Sequence, residues 1–489
     1  MSKKVLLVIT VLIAMLVSFS LVAAQQSQLP GSGWWSGQQI QNVGSSNASV
    51  VFQAYDSTGA SFACGNKSVA PGASANFLTI DCSALPAGFV GSAVVSADQP
   101  IAAVVNVVNM STNWDGTGGR AAGLYRGTDG SNVATEVAFP LMKNNFFGRS
   151  TALYVQNASD QANDITVTIR VGANTYTKSF TGVKPYAMVV VGPADTQPPM
   201  PNNSYGSAKA VGTKSLAGTA LEYQTNVPVG NNLHAYTAFT PQDFAAKAYC
   251  PLARSNAYTL NTGINVQNVG ASAQKIKVTY SYTMLGQGAV QTKSFEKGPV
   301  EPNAGVSFFT WEELPAGAIG SAVVEGMGGG NIAVIVNDET FTLNPARVTA
   351  YSCFPDNAAT KTNKVVLPQY KEFFLGDTAG LQIQNVGTAA ATNIRVTYYP
   401  NGGGTPVTFK NTNPVGPSAS FNLYRVSNPL PGVSVVSGTP STLLNTFGSI
   451  VVESDQPVVA IVNEEPGFTP GAAKAASNQD AKQYEGFNQ

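Results

Sequence analysis

Only a few residues in this chain have side chains that could do chemistry, and its single histidine, His234, is the first of them. A histidine that acts as a catalytic base needs a nucleophile and an orienting acid at the same site, and no such set accompanies His234. The repeat pattern described below aligns His234 with Asn106, Asn337 and Asn463, each at the end of an apolar run. We expect all four polar side chains to satisfy backbone groups at strand ends.

Two pairs of adjacent carboxylates, Asp338 with Glu339 and Glu464 with Glu465, form the second candidate site. Paired acids can hydrolyse glycosides when their carboxyl groups flank the same bond. Neighbours on a strand point to opposite faces, so we expect no catalysis from these pairs and no enzymatic activity in the chain. Clustered oxygens also suit calcium, which makes these four acids candidate calcium ligands. We predict no other cofactor.

Two aromatic residues are the candidate contacts for extracellular glycans. Trp114 lies in a loop rich in Gly, Asn and Asp, and Tyr205 lies in a Pro- and Asn-rich segment. Aromatic side chains in such loops offer a flat apolar face with a polar edge. Trp114 and Tyr205 therefore favour carbohydrate binding as the alternative to a purely structural role.

The charge balance excludes one class of partner. The chain has 27 basic and 27 acidic residues, and charged residues make up 11% of its 489 residues. A nucleic-acid-binding protein needs a basic excess to neutralise phosphates. We therefore predict no nucleic-acid partner.

The first 24 residues have the pattern of a secretion signal. Lys3 and Lys4 precede an apolar run over residues 5–17, and Val22-Ala23-Ala24 offers small residues before a cleavage point at Gln25. The apolar run is shorter than a membrane span requires. We predict a secreted, extracellular or cell-surface bacterial protein with no membrane span in its mature chain. An uncleaved N-terminal anchor is the alternative.

The four cysteines fit an oxidising compartment, in which pairing is the usual outcome. Cys64 and Cys82 lie in the first repeat, and Cys250 and Cys353 lie in the third. Pairing Cys64 with Cys82 and Cys250 with Cys353 keeps each disulfide within one repeat. A cysteine metal site is the alternative, but no CxxC spacing supports it.

Four copies of one unit make up the chain after the signal. A Gln-Asn anchor recurs with asparagine spacings of 115, 111 and 117 residues, at Gln41-Asn42, Gln156-Asn157, Gln267-Asn268 and Gln384-Asn385. A V-x-P-x-A motif follows each anchor, at Val69, Val183, Val300 and Val415. Recurrence of ordered motifs at a fixed period indicates internal duplication.

Three further markers recur in the same order. A glycine that opens an apolar run is placed at Gly91, Gly218, Gly320 and Gly448, and each unit ends on a tyrosine strand with Tyr125, Tyr236, Tyr351 or Tyr484. An entry proline lies 17 residues before the anchor asparagine at Pro140, Pro251 and Pro368, but 12 residues before it at Pro30. Nearly uniform linkers predict one repeated geometry between neighbouring units.

Each unit has the pattern of a β-sandwich. Apolar residues alternate with period two, as in Ile394, Val396 and Tyr398, and turn residues interrupt them every 8–12 residues or so. We predict an all-β chain of four tandem Ig-like antiparallel β-sandwich domains, each with about seven strands, and a small Greek-key barrel as the alternative. The predicted bounds are 1–24 for the signal peptide, and 25–127, 128–240, 241–356 and 357–489 for repeats 1 to 4.

The anchor QNVG, followed by an alternating strand, V-x-P-x-A and G-S-A-V-V, resembles tandem Ig-like domains of bacterial secreted and surface proteins. It is similar to the CARDB-like and NEW3-like families. The resemblance implies extracellular display, spacing or adhesion, and it supplies no catalytic residues.

We therefore expect a non-enzymatic structural or adhesive surface protein in the form of a semi-rigid rod of four repeats. Its expected partners are itself, other surface proteins or extracellular glycans. Self-assembly into a filament or surface layer is part of this hypothesis, because low charge and exposed strand edges favour pairing between molecules. An extracellular carbohydrate-binding array is the alternative.

Overall fold

The computed structural model describes residues 28–109, 121–224, 233–285, 287–340, 348–428, 432–466 and 481–489. The predicted signal peptide and Trp114 lie outside these residues. The described chain is nearly all β, and its strands pair antiparallel. No helix in the described part is long and apolar enough to cross a membrane.

Repeat 1 forms two sheets, in the orders β4-β1-β6-β7 and β3-β2-β5. Its strands are β1 (Trp34–Asn42), β2 (Ala48–Tyr55), β3 (Ser61–Val69), β4 (Ser74–Leu78), β5 (Ser92–Ala97), β6 (Ile101–Asn109) and β7 (Ala121–Arg126), with a 3-10 turn at Thr79–Asp81.

Repeat 2 forms one continuous sheet, because a single long strand serves both layers. Its strands are β8 (Ala134–Asn144), β9 (Arg149–Asn157), β10 (Asn163–Val171), β11 (Asn174–Val183), β12 (Met188–Val191), β13 (Ser204–Gln224) and β14 (Leu233–Thr237), with 3-10 turns at Pro193–Asp195 and Pro241–Asp243.

Repeat 3 again forms two sheets, in the orders β18-β17-β20-β15-β23 and β19-β16-β21-β22. Its strands are β15 (Lys247–Ser255), β16 (Leu260–Asn268), β17 (Gln274–Met284), β18 (Gln287–Val300), β19 (Gly305–Phe309), β20 (Ala318–Gly326), β21 (Ile332–Thr340), β22 (Val348–Ser352) and β23 (Phe354–Pro355), with a short helix at Thr310–Glu313.

Repeat 4 forms one ten-stranded sheet. Its strands are β24 (Lys364–Phe374), β25 (Asp377–Asn385), β26 (Arg395–Pro400), β27 (Val407–Asn411), β28 (Ser420–Tyr424), β29 (Val433–Ser437), β30 (Thr446–Glu453), β31 (Val458–Pro466), β32 (Lys482–Glu485) and β33 (Phe487–Asn488), with a 3-10 turn at Pro440–Leu443.

The alternating residues of facing strands bury a core within each repeat. In repeat 3, Ile276, Val278 and Tyr280 of β17 lie in the same core as Ile264 and Val266 of β16, although the two strands belong to different sheets. Period-two alternation places every second side chain on the inner face. The predicted repeat boundaries fall between strands, after β7, β14 and β23.

The glycine marker of repeat 2 is Gly206 and not Gly218, so that prediction was wrong. A Cβ on Gly91, Gly206, Gly320 or Gly448 would lie within 1.9–2.1 Å of a backbone carbonyl on the neighbouring strand. Only glycine permits this approach. Gly218 lies further along β13, opposite Val155 of β9.

One hydrogen bond recurs at every junction between repeats. A serine directly after the glycine marker donates to the carbonyl of the residue that follows the proline of V-x-P-x-A in another repeat. The donor–acceptor pairs are Ser92 with Tyr186, Ser207 with Asn303 (2.7 Å), Ser321 with Ser418 (2.6 Å) and Ser449 with Gly72 (2.7 Å). The last pair joins repeat 4 back to repeat 1.

The four repeats therefore form a closed ring. The strands β7, β14, β22 and β32 pack side by side around its centre, and β32 packs against β7. Thr237 Oγ1 donates to the Arg126 carbonyl at 2.5 Å, and Ser352 Oγ donates to the Thr237 carbonyl at 3.3 Å. Arg126 lies 4.3 Å from the centre of the Phe487 ring. The rod predicted from the sequence is wrong for the described residues.

Candidate functional site

The Gln-Asn anchor builds the turn through which the repeats touch. In repeat 3, Asn268 Nδ2 donates to the carbonyls of Ser272 and Val300 at 2.9 and 2.8 Å, which closes the turn. Gln267 Nε2 reaches the Asn303 carbonyl at 3.5 Å, the same carbonyl that accepts from Ser207. The anchors of the other repeats make the equivalent contacts. The most regular motif of the sequence is therefore structural.

The strand that enters each of repeats 2, 3 and 4, here called the entry strand (β8, β15 or β24), brings a cation into the ring. This cation lies three residues after the entry proline. Each one pairs with a buried acid of its own repeat: Lys143 with Glu222 at 2.8 Å, Arg254 with Asp338 at 2.8 Å, and Lys371 with Glu464 at 3.3 Å. Buried charges persist only when they are paired or hydrogen-bonded.

The second acid of each predicted carboxylate pair reaches the preceding repeat. Glu339 binds Arg149 of repeat 2, and Glu465 accepts from Arg254 of repeat 3 at 3.2 Å. The four candidate calcium ligands thus neutralise buried or half-buried cations. Within the residues that the structure describes, no group of three or more His, Cys, Asp and Glu side chains could hold a metal ion.

His234 lies on β14 and not at the position of the three asparagines, so that alignment was wrong. The strand register places Leu221 of β13 at the position of Asn106, while His234 pairs with Glu222. His234 is buried, and its Nε2 lies 2.8 Å from Asn337 Nδ2 of repeat 3. It joins two repeats, and its Nε2 also lies 3.4 Å from the Glu222 carboxylate of its own repeat.

Two buried acids, Glu222 and Glu485, have pKa values that are shifted in opposite directions. Burial alone would raise the pKa of the Glu222 carboxyl, but the charges of His234, Lys143 and Arg149 hold that pKa well below its usual range. At the ring centre, burial raises the pKa of Glu485 because Ser352 and Arg126 compensate only in part. The two acids provide charge neutralisation and hydrogen bonding within the ring.

Both predicted disulfides are present. Cys64 and Cys82 join β3 to the end of the 3-10 turn in repeat 1, and Cys250 and Cys353 join β15 to the chain after β22. The described part of the chain contains no free cysteine. The second disulfide links the entry strand of repeat 3 to the residue directly after β22.

The surface feature that the sequence reasoning missed is a set of apolar hairpin tips. Each entry strand turns into the next strand through a tight hairpin, and its tip carries Phe147, Tyr258 or Leu375. These side chains are 85%, 65% and 79% exposed. All three tips lie at one end of their repeats, here called the hairpin end.

These tip residues have an unfavourable backbone conformation. Phe147, Tyr258 and Leu375 have φ values of 50°, 54° and 53°. A left-handed conformation costs a residue with a bulky side chain about 1–2 kcal/mol relative to its usual regions. Recurring strain at exposed equivalent positions is typical of functional surfaces. Bulky residues at matching hairpin positions in three repeats were the available sequence signal.

Other exposed apolar side chains extend the hairpin end. Leu285, Trp311 and Leu444 are 52%, 40% and 49% exposed. The segments that carry Trp311 and Leu444 attach to the ends of entry strands through the bonds of Thr310 Oγ1 to the Arg254 carbonyl and of the Asn445 amide to the Glu372 carbonyl. The Leu285 amide donates to the carbonyl of Gly317, whose own amide donates to the carbonyl of Ser255 at the end of β15. Clustered exposed apolar groups usually mark an interaction surface.

Of the two predicted glycan contacts, Tyr205 lies at the start of β13 and is 38% exposed. Its ring packs against Phe146 with centres 4.5 Å apart, which places it beside a hairpin tip. Trp114 lies outside the described residues. Glycan binding therefore stays a prediction for both.

No protein-family model and no curated protein matches the chain. Among solved structures, the crystal structure of Thermotoga maritima 1070 matches with a TM-score of 0.19 and 15% identity, covering 22% of this chain and 96% of that one. A glycoside hydrolase family 32 structure from Bifidobacterium adolescentis matches with a TM-score of 0.13 and 9% identity, covering 89% and 98%. Both scores are too low to carry an argument about fold or function.

Proposed function

We propose that this chain is a secreted, non-enzymatic structural or adhesive protein, in which four Ig-like β-sandwich domains close into a ring that contacts its partner through the hairpin end. The observation that carries the proposal is the recurrence of Phe147, Tyr258 and Leu375 as strained, exposed apolar tips. A contact role explains why bulky side chains occupy positions where glycine or asparagine would be less strained.

Two further observations support a non-enzymatic, exported protein. The acids that could have formed a carboxylate pair are used as counterions for Arg149, Arg254 and Lys371. Disulfides and the N-terminal signal pattern are both typical of an extracellular protein. The resemblance to bacterial Ig-like surface domains points to the same location.

The ring restricts how such a protein would assemble. In each repeat, the serine after the glycine marker and the turn that contains V-x-P-x-A already bind a neighbouring repeat of the same molecule, and the contact of Ser449 with Gly72 is one of these. A head-to-tail contact whose rotation closes produces a ring and leaves no free copy of that interface. A filament or surface layer would therefore be built from other surfaces, among them the hairpin end.

The test replaces the three tips together with asparagine, which tolerates the left-handed region. We expect the Phe147→Asn, Tyr258→Asn, Leu375→Asn variant to keep its fold and to bind the surface of the secreting cells at least tenfold more weakly. The matched control replaces Val211, Met327 and Val436, which are 40–43% exposed elsewhere, with asparagine. Equal cell binding by the tip variant and the control would contradict the proposal.

Carbohydrate binding is the second candidate, because aromatic side chains are present at the hairpin end. Tyr258 is 65% exposed, and Trp311 stacks on Phe309 with ring centres 4.5 Å apart while remaining 40% exposed. A glycan array probed with the purified chain tests it. Specific binding that is lost in Tyr258→Ala and Trp311→Ala would favour this function over protein adhesion.

A further inference from the structure

Repeat 1 lacks, within the described residues, the entry strand that the other three repeats have. In repeats 2 to 4 this strand pairs with β13, β20 and β30, whereas the equivalent strand β5 of repeat 1 is at the edge of a three-stranded sheet. Pro30 precedes β1 but no strand forms around it, so its identification as an entry proline was wrong.

A groove of about 820 Å³ lies at this place, between repeats 1 and 2. Ala93, Val95 and Tyr125 of repeat 1 line one side, and Tyr154 and Gly218 of repeat 2 line the other. At the other junctions the corresponding space holds an entry strand: β8 packs against β16 and β21, β15 against β25 and β31, and β24 against β1 and β6. The groove is therefore a strand site of the ring.

The walls of the groove are more exposed than their equivalents. Ala93 and Val95 on β5 are only partly buried. Their equivalents are at most 1% exposed: Ala208 and Ala210 in repeat 2, Ala322 and Val324 in repeat 3, and Ile450 and Val452 in repeat 4. Repeat 1 thus has apolar surface that a strand covers in each of the other repeats.

The tyrosines that end repeats 2, 3 and 4 show how the entry strands of those repeats are held in place. The hydroxyl of Tyr236 donates to the Leu141 carbonyl at 2.6 Å, and that of Tyr351 donates to the Leu252 carbonyl at 2.6 Å. Tyr484 makes the same bond to Gln369. Each acceptor is the residue after the entry proline. The equivalent Tyr125 lines the groove and hydrogen-bonds to Thr219 of repeat 2.

The chain's own N-terminus does not match this site once the signal is removed. The spacing of 115 residues between repeats 1 and 2 assigns the missing strand to residues 19–29. Cleavage before Gln25 removes the apolar half and leaves Gln25-Gln26-Ser27-Gln28, which are polar. Gln28 bonds to Asp195 at 3.1 Å, and Leu29 packs with Val190 and Leu221 of repeat 2, at the border of the groove.

We propose that this groove binds an extended segment of a separate polypeptide, which adds to the sheet of repeat 1 as an antiparallel strand beside β5. The proposal rests on signal removal, which is part of the proposed function, and it adds a second binding site away from the hairpin tips. Addition of a strand to an open sheet edge is an established mode of peptide recognition, in which main-chain hydrogen bonds give affinity and side-chain pockets give specificity.

The occupied sites define the chemistry of the ligand. The residue before the proline, Phe139, Cys250 or Leu367, pairs with the equivalent of Ala93. The residue two positions earlier, Val137, Ala248 or Val365, pairs with the equivalent of Val95. All six are at most 4% exposed. The ligand therefore has the pattern apolar-x-apolar-Pro.

At one position we expect the ligand to differ in residue type from the entry strands of repeats 2 to 4. Three residues after the proline, the internal strands carry Lys143, Arg254 or Lys371, each paired with a buried acid. The acid position of repeat 1 is Val107, which pairs with Ser36 of β1 as Glu222 pairs with Thr151 of β9. A cation there would be buried without its partner, so the ligand carries an apolar residue at this position.

The experiment measures the binding of synthetic peptides to the chain that starts at Gln25, by fluorescence anisotropy. The first peptide has the sequence of residues 134–144, and the second replaces its Lys143 position with leucine. The third peptide keeps this leucine and also replaces the phenylalanine at the Phe139 position with aspartate. We expect saturable binding of the leucine peptide, at least tenfold weaker binding of the lysine peptide, and at least a hundredfold loss with the aspartate peptide.

Two protein variants locate the site. Val95→Asp places a carboxylate in the groove, and Ser96→Asp, on the exposed face of the same strand, is its matched control. We expect the first to abolish peptide binding and the second to leave it unchanged. The peptide series keeps the test decisive if Val95→Asp fails to fold.

Three results would overturn the proposal. One is the absence of binding by any peptide. Another is a dimer in light scattering that the leucine peptide dissociates, which would make a second copy the occupant. The third is amide-exchange protection of β5 in the peptide-free chain equal to that of β20, which would mean that the groove is already filled. These results are obtained with a chain that already starts at Gln25, so they do not depend on export or on the hairpin tips. The proposed function is tested separately by the hairpin-tip variant.

Discussion

The tyrosines that end the repeats, Tyr125, Tyr236, Tyr351 and Tyr484, allow a quantitative comparison between the three repeats that have an entry strand and repeat 1, whose described residues include none. The entry proline and the residue after it lie in a bulge, where the ladder is interrupted between Ala208 and Gly206, Ala322 and Gly320, and Ile450 and Gly448. A bulge leaves backbone groups of one strand without ladder partners. The tyrosine hydroxyl supplies those partners from the neighbouring layer.

Each hydroxyl makes two such bonds. Tyr351 Oη accepts from the Leu252 amide at 3.1 Å and donates to the Leu252 carbonyl at 2.6 Å. Tyr236 does the same with Leu141, and Tyr484 with Gln369. Replacing tyrosine with phenylalanine leaves a buried amide and a buried carbonyl unpaired, and each unpaired group costs about 1–3 kcal/mol.

We therefore expect Tyr236→Phe, Tyr351→Phe and Tyr484→Phe each to lower the free energy of unfolding by about 2–6 kcal/mol. Tyr125→Phe is the internal control, because its hydroxyl bonds to the Thr219 side chain rather than to an entry strand. Loss of that single bond is expected to cost about 0.5–1.5 kcal/mol.

The assay is guanidinium unfolding of the four variants at neutral pH with disulfides intact, followed by far-UV circular dichroism. A Tyr125→Phe variant as destabilised as the other three would show that its hydroxyl also holds a strand in the isolated chain. Equally small effects at all four positions would refute the role of the hydroxyls at the bulges.

The other predictions concern buried charge and the disulfides. Glu222→Gln is expected to lower the free energy of unfolding at pH 7 by about 3–5 kcal/mol, because it leaves Lys143 buried without its counterion. Because the folded-state pKa of Glu222 is depressed, this carboxylate stabilises the fold at every pH above its unfolded pKa, and the contribution is lost only as pH falls through the lower folded pKa. The stability difference between the wild-type chain and Glu222→Gln should therefore persist into strongly acidic solution when unfolding is measured as a function of pH. Glu485→Gln is expected to change the free energy of unfolding in the opposite direction. Burial raises the pKa of Glu485, so its ionised form weakens the fold above the unfolded pKa. The variant should be as stable as the wild-type chain or more stable at pH 7, and its stability should rise less than that of the wild-type chain when the pH is lowered. Replacing Cys250 and Cys353 with serine should cost more than replacing Cys64 and Cys82, about 4–5 against about 3 kcal/mol in denaturant unfolding, because the loops span 103 and 18 residues; equal losses would contradict the loop-entropy reasoning.

The sequence predicted the parts of the fold that depend on local patterns. Period-two alternation and turn residues indicated antiparallel strands, and cysteine placement within repeats indicated both disulfides. The nearly uniform linkers predicted one repeated geometry, and the same serine-to-carbonyl bond is present at all four junctions. These features follow from side-chain direction and chain length.

The rotation between repeats could not be predicted in the same way. One repeated contact produces a ring if its rotation closes and an open array if it does not, and no residue pattern reports that angle. The contact between Ser449 and Gly72, 377 residues apart, is its consequence. The strand site between repeats 1 and 2 did leave a signal in the sequence, because Pro30 lies 12 and not 17 residues before its asparagine.

The candidate site was predicted in part. The sequence singled out Asp338, Glu339, Glu464 and Glu465 but not their cations, since Arg149 and Arg254 come from distant strands. His234 was misaligned because repeat 2 has Leu221 where the other repeats have asparagine. The apolar hairpin tips were missed because strain and exposure depend on the folded backbone.

Small-angle X-ray scattering of the chain that starts at Gln25 tests ring closure, the central claim, most directly. A compact chain of this length has a radius of gyration of about 23 Å. We predict a value near this and a single-peaked distance distribution, with repeat 4 beside repeat 1. A radius well above it, with the long tail of a linear array, would contradict the ring and with it the shared junctions and the strand site between repeats 1 and 2.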